Sequence, residues 1–249
     1  MMRGMIEICE SSAELVQRAA QSITGILKER LAEQPGATLV LSGGSTPRQI
    51  YHLLASDAFR DTVEWQRVAL FWGDERTVPP TDPESNYGMT RQTMLQRLPV
   101  PESQIYRIAG ELPPEQAARQ YEENIRKHFG LAEENTPRFD LVLLGLGEDG
   151  HTASLFPETT ALQEDRRLVA SVFVRRLNTH RITMTLPVIN NALRVLFLVS
   201  GAGKATILSK VLEGPGGRFP AQLIKPSGDG LHWLVDREAA SSLHRGSHT

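Results

Sequence analysis

The sequence predicts an α/β fold with a mainly parallel sheet covered by helices on both faces. Two observations carry this. Five short apolar runs lack the polar alternation of a half-exposed strand, and helix-length amphipathic stretches separate them. A composition of 40% hydrophobic and 22% charged residues over 249 positions supplies a core of matching size and excludes disorder or collagen-like repeats.

The elements follow in order. An apolar N-terminal run holding Cys9 reads as a strand packed in the core. From Ser12 to Glu33, Leu15, Ala19, Ile23, Leu27 and Leu31 recur every fourth position, one face of a long helix that Pro35 and Gly36 terminate. The strand runs are Thr38–Ser42, Val68–Trp72, Asp140–Gly145, Val195–Ser200 and His232–Val235. Helices are expected at Pro47–Ala55, Tyr87–Arg97, Pro114–Phe129 and Ala202–Leu212, each long enough to cross back over a sheet. The Gly- and Pro-rich stretch from Glu213 to Gly230 reads as a surface loop, because the tail after it is too short for a domain, and residues 1–249 are expected to form a single domain.

Charge and cysteine usage restrict the partners. Lys and Arg number 27 against 29 Asp and Glu, so the net charge is −2 and no basic excess exists to hold nucleic acid. One cysteine makes no intrachain disulfide, which fits a reducing cytoplasm. The N-terminus carries no signal-peptide pattern, and no apolar run is long enough to span a bilayer, so no membrane partner is expected.

In parallel sheets ligands bind beyond the carboxyl ends of the strands, and three such loops stand out. The first, SGGSTP at Ser42–Pro47, joins a buried strand to a helix. Gly43 and Gly44 allow close backbone approach, and Ser45 and Thr46 add hydroxyls to helix N-terminal amides, a cradle for phosphate; the same residues also make an ordinary capped turn. The second, Gly73–Asn86, sets Asp74, Glu75 and Arg76 at a strand end and is stiffened by Pro79, Pro80 and Pro83. Asp74 reads as a base or orienting acid and Arg76 as an anion ligand, against the alternative of a surface ion pair.

The third loop, GLGEDGHTASLFP at Gly145–Pro157, matches GxGxxG through Gly145, Gly147 and Gly150. Glu148 and Asp149 would occupy the pyrophosphate position and Pro157 interrupts the helix that must follow, so no nicotinamide cofactor is expected. Asp149 two residues before His151 makes a candidate general-base pair, although a histidine capping a loop is the simpler structural reading. The seven histidines are scattered without ligand spacing, so no metal is expected either. No GxSxG elbow occurs, which leaves water as the nucleophile. Arg175, Arg176 and Arg181 in VRRLNTHRIT and Lys204 in SGAGKA complete the cationic inventory.

SGGSTP, FWGDER with the later SNYGM, LGLGEDGHTASLFP, RITMTLPVIN, SGAGKA and WLVD, in that order from about Leu39 to Asp236, resemble the family of 6-phosphogluconolactonases and glucosamine-6-phosphate deaminases. The resemblance implies a Rossmann-like three-layer α/β/α sandwich and a cofactor- and metal-free hydrolase opening 6-phosphoglucono-δ-lactone in the oxidative pentose phosphate pathway. It implies phosphate binding by Gly43, Gly44, Ser45, Thr46, Arg181 and Lys204, with His151 as general base. Asp149 would hold His151, and Arg76 with loop amides would meet the developing negative charge. A sugar phosphate is then the small-molecule partner, and the chain is expected to be a monomer or small homo-oligomer.

Two alternatives remain. In deaminases a glutamate usually precedes the proline of the histidine loop, where this chain has Phe156, which shuttles no proton. A sugar-phosphate sensor would need a DNA-binding segment, and the region before Thr38 is taken up by one helix and a strand.

Overall fold

The computed structural model describes residues 4–244; the first three residues of the N-terminal stretch read above lie outside them. Among the described residues ten strands form two sheets: β1 (Met5–Cys9), β2 (Ala37–Leu41), β3 (Val68–Trp72), β4 (Asp74–Arg76), β5 (Ile105–Tyr106), β6 (Leu141–Leu144), β7 (Val169–Val174), β8 (Thr179–Met184), β9 (Arg194–Val199) and β10 (Leu231–Asp236). The helices are α1 (Ser12–Glu33), α2 (Ser45–Leu54), α3 (Asn86–Thr90), α4 (Pro114–Phe129), α5 (Leu186–Asn190) and α6 (Ala205–Glu213).

The main sheet has the order β1-β10-β9-β6-β2-β3-β5, and every pairing in it is parallel. All residues of β2, β3 and β6 are buried, as strands covered on both faces must be. From β2 the chain builds outward through β3 to β5, and from β6 it builds the other way through β9 to β10. The order therefore reverses between β2 and β6, and a crevice opens at their carboxyl ends.

Packing and buried polar groups fix this frame. Helix α1 buries Leu15, Ala19, Ile23, Leu27 and Leu31, the face its spacing predicts, and Ser11 caps it by accepting from the Glu14 amide at 3.2 Å. Buried Asp140, just before β6, accepts from Thr38 N at 2.7 Å and from Arg30 Nε at 2.5 Å, tying β2, β6 and α1 together. Two buried tyrosines finish β2 and β3. Tyr51 Oη accepts from Ser42 N at 2.9 Å and donates to Ser42 O at 2.8 Å, and Tyr121 Oη does the same at Trp72, with 2.8 and 2.9 Å. Each hydroxyl satisfies backbone groups where the strand ends, so the following loop starts from a fixed point.

The second sheet, β4-β8-β7, is antiparallel and was not visible in the sequence pattern. The chain leaves the main sheet at Gly73, whose amide still donates to Leu41 O at 2.9 Å while its carbonyl accepts from Met184 N at 2.8 Å. Asp74 to Arg76 thus pass directly from the carboxyl end of β3 into a strand beside β8. Helix boundaries also shift: α2 begins at Ser45, the helix expected over Tyr87–Arg97 divides into α3 and a wider π-type turn at Arg91–Leu95, and α6 follows a 3₁₀ turn at Ala202–Lys204. Pro220–Leu223 forms a turn inside the expected surface loop, and Ala221 N donates to Gly150 O at 3.0 Å, so that loop braces the histidine loop from behind. Cys9 is buried in β1, and burial raises its thiol to a pKa of about 11.

Candidate active site

A cleft of about 340 Å³ opens where the strand order reverses. Its walls include Gly43 and Gly44 after β2, Asp74 and Arg76 of β4, Arg181 of β8, Lys204 of the turn before α6, and His151 after β6. Five chain segments far apart in sequence meet there.

His151 is held on three sides. Its Nδ1 lies 2.5 Å from Asp149 Oδ1, and its amide donates to the same oxygen at 3.2 Å. The ring stacks on Phe156, with centroids 4.1 Å apart and planes at 29°. Its carbonyl accepts from Gly147 N at 2.8 Å, closing the loop on itself. With Nδ1 turned to the carboxylate, Nδ1 carries the proton and Nε2 is the basic nitrogen. Burial works against the Asp149 carboxylate, but hydrogen bonds from the His151 ring and amide, with the charges of His151 and Arg176, outweigh it and hold its pKa at about 2. Asp149 is therefore ionised near neutral pH.

The imidazole lies so close over Gly147 that a Cβ there would overlap the ring. Gly147→Ala is expected to push His151 off Asp149 and abolish most activity. Circular dichroism and thermal melting check that the fold survives, and retained activity would contradict the packing.

The opposite wall is cationic. Arg76 and Arg181 face each other in the β4–β8 pairing, and among the described residues neither they nor Lys204 makes an ion pair with a carboxylate. Arg76 Nη1 donates to Glu84 O at 2.6 Å, and Arg181 Nη1 to His180 O at 3.0 Å. Burial, then the charge of Arg76, lowers the Arg181 pKa. Like charges directly opposite in a sheet repel, and an anion placed between them removes that cost. The start of α2 borders the same wall: Gly44 is its N-cap without a side-chain cap, leaving first-turn amides without helical partners. Lys204 is set there because buried Asp236 accepts from Ser200 Oγ at 2.5 Å and Gly201 N at 3.0 Å, fixing the turn that carries it.

Between the walls stands a buried acid network. Asp74 Oδ2 accepts from Ser154 Oγ at 2.6 Å and Oδ1 from Asn86 Nδ2 at 3.3 Å. Glu75 points away from the cleft walls and accepts from the amides of Asn86 and Tyr87 at 2.8 Å each and from Ser85 Oγ at 3.1 Å. Burial raises its pKa against these donors and that of Arg76, and the Asp74 charge pushes the same way. Glu75 thus ties the start of α3 to β4. Gly43 is required here because a Cβ would overlap the Asn86 amide.

Of the residues singled out in the sequence, Gly43, Gly44, Asp74, Arg76, His151, Arg181 and Lys204 line one cleft, and Asp149 reaches it through His151. Ser45 and Thr46 sit in the first turn of α2, directly after Gly43 and Gly44 but not among the residues that line the cleft. Arg175 also lies outside, whereas Arg176 is in the wall. Asn86 and Ser154 escaped the sequence reading; their role rests on contact with Asp74 across separations of 12 and 80 residues. Among the described residues no three His, Cys, Asp or Glu side chains gather as a metal site, and no helix is long and apolar enough to cross a membrane.

Comparison with known proteins gives the family. A 6-phosphogluconolactonase of Synechocystis sp. is 38% identical over 245 residues, covering 97% of this chain and 99% of the relative. The crystal structure of 6-phosphogluconolactonase from Thermotoga maritima superposes with a TM-score of 0.81 at 29% identity, covering 94% of this chain and 99% of that one. A monomeric glucosamine-6-phosphate deaminase superposes with a TM-score of 0.79 at 27% identity over 96% of this chain and 99% of its own. The fold is thus common to both chemistries. Residues 10–233 match the family model of glucosamine-6-phosphate isomerases/6-phosphogluconolactonase, and the chain belongs to that family.

Proposed function

We propose that the chain hydrolyses 6-phosphoglucono-δ-lactone to 6-phosphogluconate, in the oxidative pentose phosphate pathway of the cytoplasm, with His151 as general base and no metal. The observation that carries this reading is His151, fixed through Nδ1 by an ionised Asp149, in a cleft whose other wall presents Arg76, Arg181 and Lys204 without carboxylate partners. One domain, with contributions from residue 43 to residue 204, supplies every group the reaction needs.

The chemistry runs as follows. His151 Nε2 takes a proton from water as its oxygen adds to the lactone carbonyl carbon. The carbonyl oxygen becomes anionic, and Arg76 with the neighbouring loop amides stabilises it. Collapse breaks the bond from that carbon to the ring oxygen, which recovers the proton from His151, and the new carboxylic acid ionises to release a net proton. Arg181, Lys204 and the amides at the start of α2 hold the distant phosphate and so orient the ring. Asp74, already engaged by Ser154 and Asn86, takes the orienting role rather than that of base.

Deaminase chemistry lacks a proton relay here, since the ring stacked on His151 is that of Phe156. Purified protein incubated with glucosamine 6-phosphate is expected to release no ammonia above background while consuming the lactone; the opposite pattern would reverse the assignment. Dialysis against a chelator is expected to leave lactone turnover unchanged, and recovery of a lost rate on adding a divalent cation would contradict the metal-free route.

A further inference from the structure

We infer that Arg176, on the turn between β7 and β8, is a positioning residue for the His151–Asp149 pair, an inference that rests on the reading of His151 as general base. Arg176 Nη2 lies 2.9 Å from Asp149 Oδ2, the carboxylate oxygen that His151 does not use, since its ring and amide both address Oδ1. With both oxygens held, the carboxylate cannot rotate away from Nδ1. The guanidinium also lies over the Phe156 ring, its carbon 5.1 Å from the centroid, and Phe156 in turn stacks on the imidazole. Arg176 therefore touches both groups that orient His151, one at its edge and one at its face.

This brace comes from outside the histidine loop. It is carried by the antiparallel sheet that also presents Arg76 and Arg181, so the sheet bearing the anion ligands fixes the base as well. Arg176 is half exposed at the cleft wall, and its guanidinium is committed to Asp149 and Phe156.

The charge of Arg176 has a second consequence. Besides Asp149 and Arg176, the charged side chains that line the cleft with His151 are Asp74 and Arg76 of β4, Arg181 of β8 and Lys204 of the turn before α6, and Glu148 lies on its own loop. Arg176 shares the Asp149 carboxylate with the imidazole, and a cation there opposes protonation of His151. Removing it leaves the other charges in place.

The test uses Arg176→Met, which keeps an apolar stem over Phe156, and Arg176→Lys, which keeps the charge. The His151 imidazole is titrated by NMR, its signal assigned by difference from His151→Gln, so the readout does not depend on turnover. The expected result for R176M is a His151 signal that titrates at higher pH than in the wild-type protein, with kcat about 10-fold lower and KM unchanged. The acid limb of the rate profile should move up with the titration, and R176K should restore the limb and part of kcat. An unshifted titration in folded R176M, or a raised KM at unchanged kcat, would overturn the inference. Absence of lactone turnover in the wild-type protein would instead defeat the general-base reading, while the NMR titration would still decide whether Arg176 acts on His151.

Discussion

Replacing His151 with glutamine is expected to lower kcat for lactone hydrolysis by about 10²–10⁴-fold, the usual contribution of a positioned general base, with KM nearly unchanged. Glutamine keeps a polar side chain of similar reach but accepts no proton from water. Because the proposed phosphate ligands are residues other than His151, binding should survive. The pH dependence gives the same test another form. A base must be neutral to act, so the rate falls on the acid side as His151 takes up a proton. Asp149 is held at about 2 and stays ionised throughout, so that limb belongs to the imidazole and should vanish in H151Q. A variant that keeps both its rate and its acid limb would remove His151 from the chemistry.

The second large effect concerns the cationic wall. Arg181→Ala removes a charge-assisted contact worth about 1.5–3 kcal/mol, so kcat/KM for the phosphorylated lactone should fall about 10–100-fold. Most of the loss should appear in KM. The free protein should respond in the opposite sense, because Arg181 is paired with Arg76 in the β4–β8 ladder and, after burial, the Arg76 charge is the main influence lowering its pKa. Deleting one charge relieves that repulsion, so the Tm without ligand should hold or rise, while the stabilisation added by 6-phosphogluconate should shrink. A fall in unliganded Tm with unchanged KM would mean that Arg181 serves the fold rather than the substrate.

The sequence revealed the main sheet because its evidence is local. Runs such as VALFW and LVLL are buried on both faces, and their apolar character needs no partner to be read. The long helix α1 announces itself in the same way by the spacing of its apolar residues. The antiparallel sheet gives no such local signal. β4 is three polar residues, and β8 begins Thr-His-Arg and pairs with β4 across more than a hundred positions.

The candidate site divides along the same line. Glycine-rich loops after strands pointed to Gly43, Gly44 and His151, whereas Asn86 and Ser154 are small polar residues in ordinary surroundings until Asp74 is brought against them. Arg176 was one of three arginines in a basic stretch, and only the hairpin geometry separates it from exposed Arg175. Ser45 and Thr46 follow Gly43 and Gly44 directly as the first residues of helix α2, and the phosphate-loop reading of their hydroxyls stays a proposal.

The most direct test of the account is proton release from freshly generated 6-phosphoglucono-δ-lactone, followed with a pH indicator for buffer alone, wild-type protein and H151Q in parallel. The account predicts release well above the spontaneous rate for the wild-type protein and near it for H151Q. Wild-type release no faster than buffer, or H151Q as fast as wild type, would contradict it.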